Sequence, residues 1–290
     1  MARVITLTTD FGISDGYVAS MKGVILSINP QAIIVDITHA IEPQSIRQAS
    51  FIIHTSWRSF PASTIHLIVV DPGVGSHRRA VILKTPLAYF IGPDNGIFSY
   101  VLHELHRGHQ SQPDMTSTEL RKRALPRDCE AVAITKQEFW HQPVSSTFHG
   151  RDIFAPVAAH LSLDIPITEF GEKIDSLFTF PVPEPFRDSM GNLIGCIIHI
   201  DRFGNLITNF RKENIPSKGA AVEILNQRIS NMSQFYSEGS GLMAIIGSSD
   251  CLEISVRDGS AAALLGARVG DTLKLLNPEL GISFSGTVSS

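Results

Sequence analysis

The sequence predicts an α/β fold, in which a Rossmann-like N-terminal α/β domain with a mainly parallel sheet precedes a smaller C-terminal antiparallel β-barrel domain. Three observations predict it. Strand-like and helix-like apolar runs alternate in the first third of the chain, a proline-dense stretch follows at residues 180–185, and short apolar runs separated by glycines come after it. We expect one domain over residues 1–180 and the other over residues 187–290.

The N-terminal third of the chain has a β-α-β-α-β pattern. Apolar residues at helical spacing predict two helices, and β-branched or apolar runs predict the strands. The predicted elements are strands over residues 4–8, 32–37, 65–70 and 87–92, and helices over residues 15–28 and 43–57. Strands joined in this way pair in parallel through right-handed crossovers, and ligands then bind at the carboxyl ends of the strands.

The composition of the sequence changes twice after residue 104. Residues 105–146 are polar and include the basic run Arg121-Lys122-Arg123, so we interpret them as an elaborated surface, with a lid as the alternative. A helical pattern resumes over residues 151–161, and the prolines of 180–185 mark the domain boundary. The predicted barrel strands are 193–200, 206–208, 221–225, 242–246, 252–256 and 271–275.

Composition excludes several classes of function. The 290 residues carry a net charge of −4, which leaves no broad basic surface for a nucleic-acid backbone. Only 18% of residues are charged and 43% are hydrophobic, so we expect burial in cores or between subunits, and hence a homo-oligomer. No run reaches the roughly 18 apolar residues of a membrane span, and the N-terminal run is too short for a signal peptide, so we expect a cytoplasmic protein.

Metal and disulfide sites are not indicated either. Cys129, Cys196 and Cys251 are far apart and form no CxxC pair, so we expect buried, inert thiols. Asp36, His39 and Glu42 lie close together in the sequence, but their spacing supports no definite metal site. We therefore expect no metal.

The strongest local motif begins with Asp71, at the end of a predicted strand. A glycine-rich turn follows, and Arg78 comes seven residues after the carboxylate, close enough to fold back beside it. A tight turn capped by an Asp–Arg ion pair explains the same spacing equally well. A dinucleotide-binding fingerprint, and with it a Rossmann-type oxidoreductase, is disfavoured because the third glycine is missing and no helical pattern follows.

His149 lies just before a predicted helix, within the sequence STFHGRD. Because the ordinary pKa of histidine lies near neutrality, His149 could act as an acid, a base or a hydrogen-bonding group, although most of the eleven histidines must be structural. We interpret its neighbours Arg151 and Asp152 as capping or surface residues.

Asp201 and Asn205 form a third motif at the end of a predicted strand in the C-terminal domain. Asp201 could bind an ammonium group, and the amide of Asn205 could read the edge of a purine. A simple Asp/Gly/Asn turn between two strands is an equally good interpretation of the composition.

Five ordered runs together carry a resemblance that none carries alone. They are TTDFG (8–12), VVDPGVG (69–75), GPDNG (92–96), TFHGRD (147–152) and DRFGN (201–205). With these runs the chain resembles the S-adenosyl-L-methionine (SAM) hydroxide adenosyltransferases, also called SAM hydrolases, which are related to fluorinase and chlorinase. The resemblance implies hydrolysis of SAM to adenosine and methionine by water attack at C5′, with no cofactor because SAM is the substrate. It also implies a homotrimer with the substrate between subunits.

The resemblance also implies roles for individual residues. The family's catalytic Asp, Arg and His fall on Asp71, Arg78 and His149. The positions that match substrate-binding residues are Asp10 for the ribose hydroxyls, Asp201 for the methionine amine, Asn205 for adenine, Ser248 for the methionine carboxylate, and Phe148, Phe203 and Tyr236 for packing against the nucleoside.

Two alternative functions remain open at this point. Halide-using relatives carry Tyr at the positions of Asp71 and His149, and fluorinase has Trp where this chain has Gln44, so water is favoured over halide as the nucleophile. A chloride adenosyltransferase is nevertheless the nearest alternative. A non-catalytic protein that binds SAM or adenosine is the alternative from a different class.

Overall fold

The computed structural model describes residues 3–106, 119–216, 220–230, 232–238 and 241–276. These residues form two compact units that divide between Phe180 and Pro181, at the start of the proline-dense stretch. Each unit has its own main sheet and its own apolar core.

Unit 1 is built on a seven-stranded sheet with the strand order β2-β1-β3-β5-β4-β7-β8. Its elements are β1 (Val4–Thr9), α1 (Tyr17–Ile28), β2 (Ile33–Thr38), α2 (Ile46–Ser56), β3 (Thr64–Val69), β4 (Ala80–Lys84), β5 (Ala88–Pro93), α3 (Ser99–Leu105), β6 (Arg121–Ala124), β7 (Glu130–Ile134), α4 (Ala155–Ser162), β8 (Gly171–Ile174) and β9 (Ser176–Thr179). Strands β6 and β9 pair separately as a two-stranded ribbon.

The parallel part of this sheet confirms the predicted fold class. Strands β2, β1, β3 and β5 pair in parallel, and each overlaps a strand predicted from an apolar run. The other half of the sheet is antiparallel, because β4 turns back beside β5 and β7 and β8 continue outward from it. The sheet is therefore mixed, with its parallel strands grouped together.

Strand β7 corrects the interpretation of residues 105–146 as surface. Glu130–Ile134 lies between β4 and β8, and its last four residues are buried. The run EAVAI is only five residues long within a polar segment, which is too short for a periodic pattern to reveal it. The remainder of that segment is described only from residue 119, where β6 is largely exposed.

Helices cover both faces of the sheet. Met21 and Ile25 of α1 pack with α4 in one core cluster, while Ala49 and Ile53 of α2 pack with α3 in the other. Strand β3 contributes to both clusters and is buried along its whole length. Because β3 is covered on both faces, the chain that leaves its carboxyl end starts from a rigid support.

The predicted helix over residues 151–161 forms in two parts. Residues Gly150–Phe154 make a single π-helical turn, and α4 continues from Ala155 with Pro156 in its first turn. Such π turns often occur at functional sites. This one directly follows His149.

Unit 2 is a nearly closed, barrel-like sheet, as predicted. Its elements are β10 (Phe186–Arg187), β11 (Leu193–Ile200), β12 (Leu206–Arg211), β13 (Ala221–Ile224), β14 (Gln227–Ile229), β15 (Met232–Ser233), β16 (Leu242–Ile246), β17 (Cys251–Val256), α5 (Ala261–Leu265) and β18 (Thr272–Leu276). The strand order is β14-β13-β18-β11-β12-β17-β16-β15, and its described pairs are antiparallel except β15 with β16. Inward-facing residues such as Ile197, Phe210 and Ile254 form its core.

Two further expectations concern membrane-spanning helices and the three cysteines. In the part of the chain that the structure describes, no helix is both long and apolar enough to cross a membrane. Cys129, Cys196 and Cys251 are all buried and form no disulfide, which confirms the expectation for the thiols. Burial raises the pKa of the Cys129 thiol to about 11, so this thiol is unreactive at neutral pH.

Candidate active site

The structure brings Asp71, Arg78 and His149 into contact just beyond the carboxyl end of β3. Nε of Arg78 donates to the two carboxylate oxygens of Asp71 at 3.0 and 2.8 Å, and Nη2 also donates to Oδ2. The same Nη2 lies 2.9 Å from Nδ1 of His149. The Arg78 and Asp71 side chains are only 11% and 5% exposed, so solvent screens their attraction weakly. The predicted ion pair between Asp71 and Arg78 is present, and His149 contacts it as a third residue.

Arg78 determines which nitrogen of His149 carries the proton. A guanidinium only donates hydrogen bonds, so Nδ1 accepts and the proton of the neutral ring lies on Nε2. Partial burial, together with the Arg78 cation, lowers the pKa of His149, while the carboxylates of Asp71 and Asp152 act in the opposite direction. His149 is therefore neutral at pH 7.

The loop between Asp71 and Arg78 packs against the segment that leads to His149. Gly75 has a φ of +78°, and a Cβ at this position would lie 2.9 Å from the carbonyl oxygen of Ser146. The guanidinium carbon of Arg78 lies 5.3 Å from the ring centroid of Phe154, in the π turn. Glycine is thus needed at position 75 both for its backbone conformation and for the close approach.

The interpretation of Asp152 as a capping or surface residue is wrong, because Asp152 is a buried residue that positions the neighbouring loop. Its side chain is fully buried, accepts a 2.7 Å hydrogen bond from the backbone N–H of Ser145, and pairs with Arg151. The Ser145 bond closes the loop that carries Phe148 and His149. The only indication of this role in the sequence is that Asp152 directly follows Arg151, with which it can form an ion pair.

Asp10 follows β1, which lies next to β3 in the sheet. Thr9 pairs with Val69 in the register of the two strands, so Asp10 and Asp71 leave neighbouring strands at the same edge. The backbone N–H of Gln44 donates to Oδ2 of Asp10 at 2.8 Å and orients the carboxylate. Both acids therefore follow the carboxyl ends of adjacent parallel strands, where ligands are expected to bind.

Phe148 belongs to an aromatic cluster in unit 1. Its ring makes edge contacts with Tyr17 and Phe11, at centroid distances of 5.1 and 5.8 Å. The Arg151 guanidinium carbon lies 5.1 Å from the centroid of the same ring. Phe148 is thus fixed beside His149 by its packing.

Asp36 and His39 belong to a chain of polar contacts that also includes Lys22 and Thr9. Nε2 of His39 lies 3.1 Å from Asp36, Nδ1 lies 2.8 Å from the hydroxyl of Thr9, and Lys22 also pairs with Asp36. Among the described residues, no group of three or more His, Cys, Asp or Glu side chains is placed to hold a metal ion.

The five candidate residues of unit 2 all line one open cleft of about 1020 Å³. They are Asp201, Phe203, Asn205, Tyr236 and Ser248. Phe203 is 76% exposed, so it presents an aromatic residue to solvent at this cleft. The structure therefore assembles the candidate residues of unit 2 around one cleft.

Asp201 and Asn205 are already bonded to each other. Oδ1 of Asp201 accepts from the backbone N–H groups of Phe203 and Asn205, and Oδ2 accepts from the Asn205 side-chain amide at 2.8 Å. These bonds form the Asp/Gly/Asn turn that the sequence predicts as the alternative to a ligand-binding motif. One amide N–H and the amide oxygen of Asn205 remain as the groups that could read a purine.

Glu253 lines the same cleft, and sequence reasoning missed it. Its side chain is buried, and burial raises the pKa of its carboxyl. The Tyr236 hydroxyl donates to Glu253 at 3.0 Å, and burial and Glu253 raise the pKa of Tyr236 to about 12. Gly247 leaves room for the carboxylate, which any Cβ there would overlap. The only signal in the sequence is an acid inside the apolar run of β17.

Comparison with known families identifies both units. The profile for the SAM hydroxide adenosyltransferase N-terminal domain matches residues 5–171, and that for the C-terminal domain matches residues 195–274. The chain belongs to the SAM hydroxide adenosyltransferase family. The five sequence runs therefore identify the family correctly.

Two relatives named as SAM hydrolases resemble the chain over nearly its whole length. An (R)-S-adenosyl-L-methionine hydrolase of Methanocaldococcus jannaschii is 33% identical, covering 94% of this chain and 95% of that protein. One of Thermus thermophilus is 34% identical, covering 94% and 100%. A fluorinase of Actinoplanes sp. is 27% identical and covers 74% of each chain, so it is the more distant relative.

Solved structures show the same fold. The crystal structure of an uncharacterized conserved protein from Thermotoga maritima superposes with a TM-score of 0.81 at 31% identity, covering 94% of this chain and 100% of that one. The fold class of this SAM hydroxide adenosyltransferase family member is therefore shared with an experimental structure.

Proposed function

We propose that this protein hydrolyses SAM to adenosine and L-methionine, using water as the nucleophile at C5′ of the ribose. The observation that carries the proposal is the contact of Arg78 with both Asp71 and His149 in a chain of this family. The three side chains meet at the strand edge where ligands bind in such sheets.

The reaction places its demand on the nucleophile. The C5′–S bond breaks and its electron pair stays on sulfur, so a positively charged sulfonium leaves as a neutral thioether. This leaving group needs no general acid, metal or cofactor. A new C5′–O bond forms from water, which must be aligned opposite sulfur and must lose one proton.

Arg78 and His149 are arranged to polarise that water. Nη2 of Arg78 donates toward the position from which Nδ1 of His149 accepts. Because these atoms are 2.9 Å apart, a water molecule that binds both must displace their direct hydrogen bond. It then accepts from Arg78 and donates to His149, which leaves a lone pair for C5′. The proton passes to Nδ1, and the carboxylates of Asp71 and Asp152 favour the resulting imidazolium. Asp71 also orients Arg78 and balances its charge.

The substrate-binding residues divide between the two units. Asp10 suits the ribose hydroxyls, Phe148 packs beside the nucleoside, and Phe203 and Tyr236 offer aromatic surface to it. Asp201 binds the amine of methionine, Asn205 reads adenine, and Ser248 binds the carboxylate. As the resemblance implies, the complete site forms in a homotrimer, between unit 1 of one subunit and unit 2 of its neighbour.

Incubation with SAM in oxygen-18 water tests the reaction. We expect one label in the 5′-hydroxyl of adenosine and none in methionine. A parallel reaction with chloride tests the halide alternative, which predicts 5′-chloro-5′-deoxyadenosine. The Asp71 carboxylate is paired with Arg78 and disfavours an anion such as chloride there. Unlabelled adenosine, a chloride-dependent product, or binding of SAM without turnover would each contradict the proposal.

A further inference from the structure

The turn after β5 lies between the two ends of the loop that carries Asp71 and Arg78. Strand β5 has β3 on one side and β4 on the other. The chain leaves β3 at Val69, forms the loop, and enters β4 at Ala80, which pairs with Pro93 at the end of β5. The next two residues, Asp94 and Asn95, are therefore placed between the start and the end of the loop.

Asn95 holds the start of the loop. Its Nδ2 donates to the carbonyl oxygen of Val70 at 2.9 Å, directly before Asp71. Its Oδ1 accepts from the backbone N–H of Ile97 at 3.2 Å, which fixes the orientation of the amide. The Ile97 bond is an ordinary local turn. The Val70 bond is not part of that turn, because it spans 25 residues of sequence.

Asp94 holds the end of the loop. Its backbone N–H donates to the carbonyl of Arg79 at 2.9 Å, and its Oδ2 accepts from Nε of Arg79 at 2.9 Å and also from Nη2. Its Oδ1 accepts from the backbone N–H of Phe178 at 2.8 Å. The Asp94 side chain is 1% exposed, so these bonds form away from water. Arg79 is the residue directly after Arg78.

We propose that Asp94 and Asn95 are positioning residues that clamp both ends of the Asp71–Arg78 loop and thereby hold Arg78 against His149. The loop needs such support because it contains three flexible or turn-forming residues, Gly73, Gly75 and Ser76. Its two functional side chains lie at its ends, next to the two anchored residues. The kinetic part of this inference rests on the proposed function, whereas its structural part does not.

The structural part is tested without substrate, by an NMR titration of His149. Comparison with His149→Gln assigns the imidazole signals. We expect Asn95→Ala to raise the pKa of His149 toward its ordinary value, because Arg78 is no longer held at Nδ1. The matched control is Asn29→Ala, which removes a buried amide with the same arrangement: Oδ1 accepts from the backbone two residues on, and Nδ2 donates to Ser162 at 2.8 Å. Asn29 lies before β2, at the amino end of the parallel strands, whereas Asn95 follows the carboxyl end of β5.

An unchanged pKa of His149 in Asn95→Ala would overturn the inference, as would an equal shift in the Asn29→Ala control. If Asn95→Ala does not fold, Arg79→Lys provides the test at the other end of the loop. This variant keeps the charge but loses the paired contact with Asp94, and the same rise in the pKa of His149 is expected.

The kinetic part is tested by a double-mutant cycle. In the wild-type background we expect Asn95→Ala to lower kcat by about 10- to 100-fold, since small displacements of positioned groups cost this much, with KM changed less than about threefold. In an Arg78→Ala background it should lower kcat less than about twofold. A general loss of folded protein would lower both backgrounds by the same factor, and that result would overturn the clamp. If wild-type protein forms no adenosine, the proposed function fails and the titration alone decides the clamp.

Discussion

Replacement of Arg78 by alanine tests its contribution to the free energy of unfolding and its contribution to turnover as two separate quantities. The change removes every hydrogen bond that Arg78 donates to Asp71 and leaves a carboxylate that is only 5% exposed without its cation. Removing one partner of a buried ion pair costs about 3–5 kcal/mol. Because the Arg78 side chain retains some exposure, we expect a value near the lower limit, about 3 kcal/mol, for the loss in free energy of unfolding. Urea unfolding of Arg78→Ala and of the wild-type protein at pH 7 measures this loss in free energy of unfolding.

The double variant Asp71→Asn with Arg78→Ala is the matched control for this experiment. It removes the unpaired charge, so most of the lost free energy of unfolding should return at pH 7. Turnover should stay at least about 100-fold below wild type, because the donor for the developing hydroxide is still absent. Wild-type stability of Arg78→Ala, or recovery of turnover in the double variant, would refute the reasoning.

Three other predictions concern the same site. His149→Gln should lower kcat by about 100- to 10,000-fold with KM within a few-fold, measured as adenosine formed from SAM; a wild-type rate would remove His149 from the mechanism. In the wild-type protein, kcat should fall as pH drops through the pKa of His149, which lies below 6.5, because protonation blocks Nδ1; this acid limb should be absent from the residual activity of His149→Gln. Gly75→Ala should lower both Tm and kcat, because it combines backbone strain at a φ of +78° with contact to Ser146. Gly270→Ala, with a φ of +95° and no atom within 4 Å of the added Cβ, is its control, and an equal loss of activity there would argue against the loop contact.

Local patterns predicted the elements that bear the site with good accuracy. The strands that become β1, β2, β3 and β5 and the helices that become α1 and α2 all have periodic apolar residues long enough to stand out. Asp71 was found because it directly follows such a strand, whereas Asp10 was assigned through the family resemblance. Strand β7 was missed since its five residues show no usable period, and its burial comes from β4 and β8 on either side.

Residues that act through long-range contacts were beyond the reach of local patterns. Asp152 has the appearance of a helix-cap acid, yet its carboxylate is fully buried and holds Ser145. Glu253 occupies an alternating position in β17 that suggests an exposed face, but it is covered within the cleft of unit 2. Asn95 carries an ordinary turn signal, and only its bond to Val70 shows a second task.

Residue type and short-range order were enough to predict the fold class, the family and the three residues of the proposed reaction centre. Only the folded chain shows that Arg78 lies between Asp71 and His149, and hence that Nδ1 accepts while Nε2 carries the proton. These contacts join residues that are far apart in the sequence. Arg78 and His149 are 71 residues apart, and their contact exists only because the sheet, the π turn and the Gly75 approach bring two loops together.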